Sequence, residues 1–516
     1  MNNLQIKRAI ISVFDKTGIV ELAKKLDEKN VEIFSTGGTY RKLEEAGVRV
    51  SKISKLTEFP EIMNGRVKTL HPKVFAGLLA DKSNPNHLAD LESVSVTPFD
   101  LVCVNLYAFS KAYNNADSTE EQIIEMIDIG GPSMLRASAK NFSSVAVLSH
   151  AGQYAEFLER MEKDELDVPY LKTLAGDVFV HTAKYDSEIA KFFTESKDEN
   201  LDDYLFNNYE KQEELRYGEN PDQKAAIYKP IGTENWEPFK QLHGKQISYN
   251  NYLDCMAAYQ IVKDMQSEEP LVANIKHTNP CGVGIGATAK DAYVRAVAVD
   301  PTSYYGGIVC SNRKVEADFA MELKKSFLEC IIAPCYSEEA LQILSKKKDL
   351  RLLIPNEEVL VSKLMMKEYG SGLLVQQKQE TKFNLADCQI VTDVKPDEKL
   401  AKALTLGWNI VRNVKSNAIV LADDSGAIGV GAGQMSRVDS MKIAIRKAKE
   451  AGLKIENTII ASDAFFPFRD SIDEAAKYKI AGAIQPGGSI RDEEVIEACN
   501  EHKMFMLFTG QRVFKH

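Results

Sequence analysis

Strand-like apolar runs alternate with amphipathic helical stretches through the first ~190 residues, which restricts the chain to a sheet covered by helices. Residues 9–14, "AIISVF", form an apolar run with β-branched members. Residues 18–30 then read as an amphipathic helix. Residues 31–35, "VEIFS", are the next strand, and residues 40–47 open the next helix, with Gly47 as its stop signal. Residues 99–109, "FDLVCVNLYAF", and residues 143–149, "SSVAVLS", are buried-type strands. Strands separated by helices pair in parallel, so the expected class is α/β.

At 516 residues the chain is too long for one core, and roughly 100–200 residues per domain predicts about three or four units. The charged stretch at residues 195–223, "ESKDENLDDYLFNNYEKQEELRYGENPDQ", is the best boundary, dividing the chain into 1–200 and 201–516. Beyond it, strands such as residues 269–277 and 417–423 alternate with helices such as residues 440–452. No short tandem repeat is visible. The formal charge of −10 argues against nucleic-acid binding driven by bulk positive charge, while leaving room for local anion pockets. No window approaches ~18 uninterrupted apolar residues, and the first residues lack the apolar core of a signal peptide. Eight scattered cysteines without a CxxC pair predict reduced thiols in a cytoplasmic enzyme.

Residues 34–43, "FSTGGTYRKL", place hydroxyls and glycines between a strand and a helix. Unpaired N–H groups at a helix start attract an anion, and glycines let it approach. A tight turn with a threonine cap is the plainer reading. Residues 65–77 add Arg66, Lys68, His71 and Lys73, either an anion site or a solvated basic face. Asp128 precedes a Gly130–Gly131 turn. Asn105 and Tyr107 stand at a strand end, where α/β ligands sit.

Residues 274–282, "NIKHTNPCG", carry a lysine, a histidine and a cysteine at the end of an apolar run. Zinc needs three or four ligands, and the deaminase signature HxE with a later PCxxC is incomplete here. Cys281 lies in a predicted Pro-Gly turn, where a small side chain suffices. Lys276 and His277 can serve one site only where the strand ends, at the turn after Thr278. On these residues alone, a proton-handling pair and a structural histidine beside a surface lysine both stand.

The first half carries "DKTG", "STGGT", "GRVKTLHP", "NLYAF", "QIIEMIDIGG", "RASAKN" and "FVHTAKYD" in order, and resembles the IMP cyclohydrolase domain of the bifunctional purine-biosynthesis family. The second half carries "LRYGENPDQ", "SYNNYLDCMAA", "KHTNPCGVG", "DPTSYYGGIV", "ECIIAPCYSEEAL", "VKSNAIVL", "GVGAGQMSR", "SDAFFPFRD", "IQPGGSIRDEEVI" and "GQRVFKH", and resembles the AICAR formyltransferase domain of the same family. The resemblance spans essentially the whole chain. It implies a methylglyoxal-synthase-like domain followed by two cytidine-deaminase-like subdomains without zinc.

It also implies two reactions. A formyl group moves from the co-substrate 10-formyltetrahydrofolate to the 5-amino group of AICAR. The carboxamide nitrogen of formyl-AICAR then attacks the formyl carbon and water leaves, giving IMP. By resemblance, Lys68, Tyr107, Asp128 and Lys140 surround the closing ring. Ser12, Lys16, Ser35, Thr36, Gly37, Gly38, Thr39, Arg66, Thr69, Asn105, Gly130 and Gly131 contact the nucleotide. Phe14 departs, standing where the family carries a second serine. For formyl transfer, His277 is the implied base and Lys276 the charge stabiliser, while Asn417 holds the formyl oxygen through its amide N–H. Arg216, Tyr217 and Arg512 grip phosphate. Asn250, Arg437, Phe465, Pro467, Phe468 and Asp470 belong to the substrate and folate pocket. Glu329 stands where vertebrate-like members carry aspartate. The family implies a homodimer, a structural potassium ion and no catalytic metal, with no nucleic-acid or membrane partner. Two other classes compete: a regulatory nucleotide-binding protein, which would need only the phosphate cradle, and a zinc-dependent deaminase, which lacks ligands.

Overall fold

The computed structural model describes residues 3–195, 201–231, 233, 235–379 and 382–516, and divides into two compact units, Met1–Asn208 and Tyr209–His516. Residues 196–200 of the expected boundary stretch lie outside the described residues.

The first unit is built on β1 (Arg8–Ser12), β2 (Glu32–Ser35), β3 (Val50–Lys52), β4 (Leu101–Val104) and β5 (Ala146–Leu148). All neighbours are parallel in the order β3-β2-β1-β4-β5. Ile10, Ile11, Val102 and Val147 are fully buried, as strands covered on both faces require. The helix Ile19–Glu28 buries Ile19, Leu22, Ala23 and Leu26, a stripe at helical spacing that turns its charges outward. Gly47 follows the next helix at φ +77°, a conformation only glycine takes without penalty. The chain leaves β1 toward β2 and β3, then returns to β4 on the other side. The crevice where the order reverses lies beyond the carboxyl ends of β1 and β4. The 99–109 run is strand only over Leu101–Val104.

The second unit opens with an antiparallel hairpin, β6 (Tyr209–Leu215) and β7 (Ala225–Pro230). Then follow β8 (Phe239–His243), β9 (Leu271–Lys276), β10 (Asn279–Ile285), β11 (Gly307–Ser311), β12 (Leu328–Ile332) and β13 (Arg351–Pro355). A second hairpin, β14 (Leu364–Tyr369) and β15 (Gly372–Gln377), precedes β16 (Gln389–Ile390), β17 (Ile419–Asp423), β18 (Gly426–Gly431), β19 (Ile459–Ser462), β20 (Gly482–Gln485) and β21 (Phe505–Phe508). Among the described residues, twelve of these strands form one sheet, ordered β16-β21-β20-β19-β17-β18-β10-β9-β11-β12-β13-β8.

That order is a module used twice. Each half has an edge strand, a helix, an antiparallel hairpin, a second helix, and three parallel strands joined by helices. In each, the first hairpin strand is antiparallel to the first of the three, and the edge strand is antiparallel to the last. The halves meet where β10 pairs β18 at Gly284 and Gly426. On one face a single core runs across both halves, including Ile261 and Cys255 from the helix Tyr249–Met265 and Trp408 and Leu404 from the helix Glu398–Val411. On the other face each half keeps its own core. The hairpins lean close to their covering helices, and a Cβ on Gly282 would overlap the Ala296 carbonyl oxygen.

The "NPCG" segment is not the predicted turn. Asn279–Ile285 is strand β10, with a bulge between Pro280 and Gly282. The chain reverses two residues earlier, at His277–Thr278.

Candidate functional site

Ser12 and Ser35 end β1 and β2, and Asn105 follows β4, so the first unit gathers its polar residues at the crevice. Asn105 fastens the loop after β1. Its Oδ1 accepts the Phe14 N–H at 2.5 Å and the Asp15 N–H at 3.1 Å, and its Nδ2 donates to Asp15 O at 2.9 Å. The hydroxyls of Ser12 and Thr36 pair at 2.7 Å. Ser35 and Thr39 depart from the expectation of ligand donors. Both are buried, and their hydroxyls donate to Ile11 O at 2.6 Å and Val13 O at 2.9 Å. They brace the loop ahead of Gly37 and Gly38, whose backbone begins a helix.

Lys16 donates to the carbonyls of Val13 and Phe14, and burial, then the charge of Lys68, lowers its pKa. Lys68 also lies near the half-buried Asp128, whose pKa is raised by burial against the Gly131 N–H, Lys68, and the backbone of Gly130 and Tyr107. The Gly131 N–H donates to Asp128 Oδ1 at 2.9 Å, and a Cβ on Gly131 would strike that carboxylate. A Cβ on Gly130 would lie 2.8 Å from the hydroxyl oxygen of buried Thr69. Tyr107 faces Phe14, ring centroids 5.4 Å apart, so an aromatic contact stands where a hydroxyl was expected from the family pattern.

Tyr185 was missed in the sequence, although "FVHTAKYD" contains it. Its hydroxyl accepts the Asp128 N–H at 2.7 Å and donates to Met126 O at 2.8 Å, and burial pushes its pKa up to about 12. Three cationic candidates have other engagements. Arg66 forms an exposed ion pair with Glu125, Lys73 pairs with Glu58 at 2.6 Å, and His71 caps a helix by accepting the Lys73 N–H at 3.2 Å. Lys140 is not brought to the group: it is exposed at the last residue of the helix Gly130–Lys140, roughly 15 Å along the axis from the Asp128 end.

In the second unit, Lys276 closes β9 and donates from Nζ to Tyr305 O at 3.0 Å and Gly306 O at 3.1 Å. His277 and Thr278 form the hairpin tip with φ of +52° and +62°. A two-residue turn with both values positive matches the twist of its strands and is usually built from Asn or Gly. A histidine and a β-branched threonine there cost about 1–3 kcal/mol each. His277 is exposed beside this turn. Cys281 is buried, and burial pushes its thiol up to about 12, which removes it as a ready thiolate. Among the described residues, no group of three or more His, Cys, Asp or Glu is placed to hold a metal ion.

Because β10 and β18 are antiparallel, the tip of the first hairpin lies beside the residues preceding β17. Asn279 Oδ1 accepts the Lys415 N–H at 3.0 Å. Ser416–Asn417 is a cis peptide. Asn417 Nδ2 donates to Gln434 O at 3.0 Å and Met435 O at 3.1 Å. Two carbonyl partners fix the amide orientation, with both Nδ2 hydrogens, the group expected to hold the formyl oxygen, engaged within the protein. Arg437 turns inward, donating to Ser462 Oγ at 2.9 Å and to fully buried Asp463 at 2.7 Å. Asp463 also accepts Ser416 Oγ–H at 2.5 Å. Arg437 thus supports the floor under Asn417 instead of reaching outward.

The C-terminal segment joins this floor. Ser416 N–H donates to Lys515 O at 2.9 Å, and Val513 N–H to Asp463 O at 3.0 Å. Arg512 lies over the Phe514 ring at 4.8 Å, and Arg216 over Tyr217 at 5.5 Å. Asn250 Nδ2 donates to Glu219 O at 3.1 Å, which ties the Arg216 segment to the helix Tyr249–Met265. Glu329 is paired with buried Arg351 at 2.8 Å. The "SDAFFPFRD" segment splits its aromatics: Phe466 is fully buried, whereas Phe465 and Phe468 are exposed on either side of Pro467, followed by Asp470. Arg491 lies over Phe468 at 4.8 Å.

Two family models match the chain: the MGS-like domain over residues 18–133 and the AICARFT/IMPCHase bienzyme over residues 138–447. The bifunctional purine biosynthesis protein PurH of Halalkalibacterium halodurans is 48% identical over 515 residues, covering 99% of this chain and 100% of that one. The protein of the same name from Bacillus cereus is 47% identical over 515 residues, with the same coverage. The chain therefore belongs to the AICARFT/IMPCHase bienzyme family, the bifunctional enzymes that carry out the last two steps of IMP synthesis.

Proposed function

We propose that each unit carries one of the two activities: ring closure in Met1–Asn208 and formyl transfer in Tyr209–His516. The observation that carries this reading is the meeting of the Lys276–His277 hairpin tip with the Asn417 segment through Asn279 and Lys415. The amine of AICAR is a weak nucleophile, because the ring and carboxamide withdraw its electrons. It attacks the formyl carbon of 10-formyltetrahydrofolate while His277 takes its proton. The tetrahedral intermediate carries charge near Lys276, the C–N10 bond breaks, and folate N10 takes up a proton. Exposed Phe465 and Phe468 offer an apolar surface to the folate ring.

In the first unit, the Gly37–Gly38 helix start and Lys16 would hold the phosphate. Lys68, Tyr107 and Asp128 would align the carboxamide nitrogen with the formyl carbon and manage the protons as water leaves. The retained Asp128–Lys68 arrangement favours this over a pure nucleotide sensor, which needs only a cradle.

Purified protein given AICAR and 10-formyltetrahydrofolate is expected to form IMP, identified by chromatography and mass. No IMP under conditions where the Bacillus cereus protein makes it would end this reading. A cytoplasmic homodimer with a structural potassium ion is part of the same proposal. Sedimentation with and without potassium checks it: a dimer destabilised by potassium removal is expected, and a fully active monomer indifferent to the ion would remove that part.

A further inference from the structure

The repeated module supplies an internal comparison for the hairpin that carries His277. Lys276 pairs Asn279 at the tip of the first hairpin, and Asp423 pairs Gly426 at the tip of the second. The two tips are thus His277–Thr278 and Asp424–Ser425. In the second, the Ser425 N–H donates to Asp423 Oδ1 of its own strand at 2.9 Å. There the positive φ falls on a glycine, Gly426, at +132°.

In the first hairpin the position matching Asp423 is Lys276, which has no acceptor. The matching N–H, on Thr278, donates instead to Asp254 Oδ1 at 2.6 Å, on the helix Tyr249–Met265. Both tip residues then sit in the left-handed region without a glycine. Placing a lysine beside the histidine therefore removes the local acceptor, and the helix beneath supplies a substitute. Asp254 is half-buried. Burial raises its pKa, opposed by the Thr278 N–H, the charges of His277 and Lys276, and the His277 backbone.

We propose that Asp254 is a positioning residue for formyl transfer, holding the His277–Thr278 turn so that the imidazole meets the substrate amine. This rests on His277 being the base. Misplacing a reacting group by about 1 Å can cost ~100-fold in rate, so Asp254→Ala is expected to lower formyl-transfer kcat by roughly 10- to 100-fold. KM for AICAR should change by less than about threefold, because the turn positions the base and does not bind the nucleotide. Asp254→Asn keeps an oxygen acceptor for the Thr278 N–H and should recover most of the loss. In a His277→Ala background, Asp254→Ala should cost nothing further.

Glycine adopts the left-handed conformation unaided, so Thr278→Gly should shrink the loss caused by Asp254→Ala. That double variant also serves if Asp254→Ala alone fails to fold. A kcat within about twofold of the parent in Asp254→Ala, or an equal loss with and without His277, would overturn the inference. Full formyl transfer in His277→Ala alone would instead overturn the assignment of the base.

Discussion

His277→Ala is expected to lower formyl transfer by roughly 100- to 10,000-fold, the range a positioned general base supplies. Cyclisation of supplied formyl-AICAR should continue at the parent rate, because that chemistry is assigned to the other unit. The fold should survive with little change in stability, because the tip residue is exposed and alanine removes no buried contact, while the left-handed φ of +52° costs either residue. The measurement is a pair of steady-state assays on one preparation, with thermal melting as a control. Equal loss of both activities in a folded protein would defeat the division of labour.

The second large effect concerns Asp128. Asp128→Asn should lower cyclisation by about 100-fold or more while leaving formyl transfer intact. It should also change stability with a definite sign. The folded pKa of Asp128 lies above the unfolded value of 3.8, with burial as the main cause. Below that unfolded value both states are protonated and the group contributes no difference. As pH rises through the window up to the folded pKa, the unfolded chain releases its proton first, so stability falls. Above the folded pKa the full penalty persists. Asparagine never ionises and still accepts the Gly131 N–H, so the variant should melt higher than the parent at neutral pH and match it near pH 3. A variant that melted lower at neutral pH would show that the charged form is favoured in the fold.

The strand and helix order of the first unit was legible because buried parallel strands are written as continuous apolar runs. Gly47 and the Ile19–Glu28 stripe were equally plain. The repeat in the second unit was not, since its halves share topology and strand pairing without sharing side chains: Lys276 answers to Asp423, and Thr278 to Ser425. The hairpin tip was misplaced because Pro280 and Gly282 look like turn residues, yet both lie in a bulged strand packed against a helix. Hydroxyls of Ser35 and Thr39 read as ligand donors because sequence does not show which way a side chain points. Asp254, Tyr185 and Asp463 are not singled out by the sequence because each acts on a group distant in it: Asp254 and Tyr185 on backbone N–H groups 24 and 57 residues away, Asp463 on the Ser416 hydroxyl 47 residues away.

The shared core of the two modules also sets a problem for synthesis. The first module is complete in sequence when Pro355 leaves the ribosome, but its β10 flank has no neighbour until β18 arrives. At typical elongation rates of 5–20 residues per second, that wait lasts roughly 7–30 s after β10 emerges. An unpaired strand edge above an uncovered apolar face invites pairing with another chain. Nascent copies of this enzyme on one message would therefore be most prone to cross-pairing while the second module is still being made.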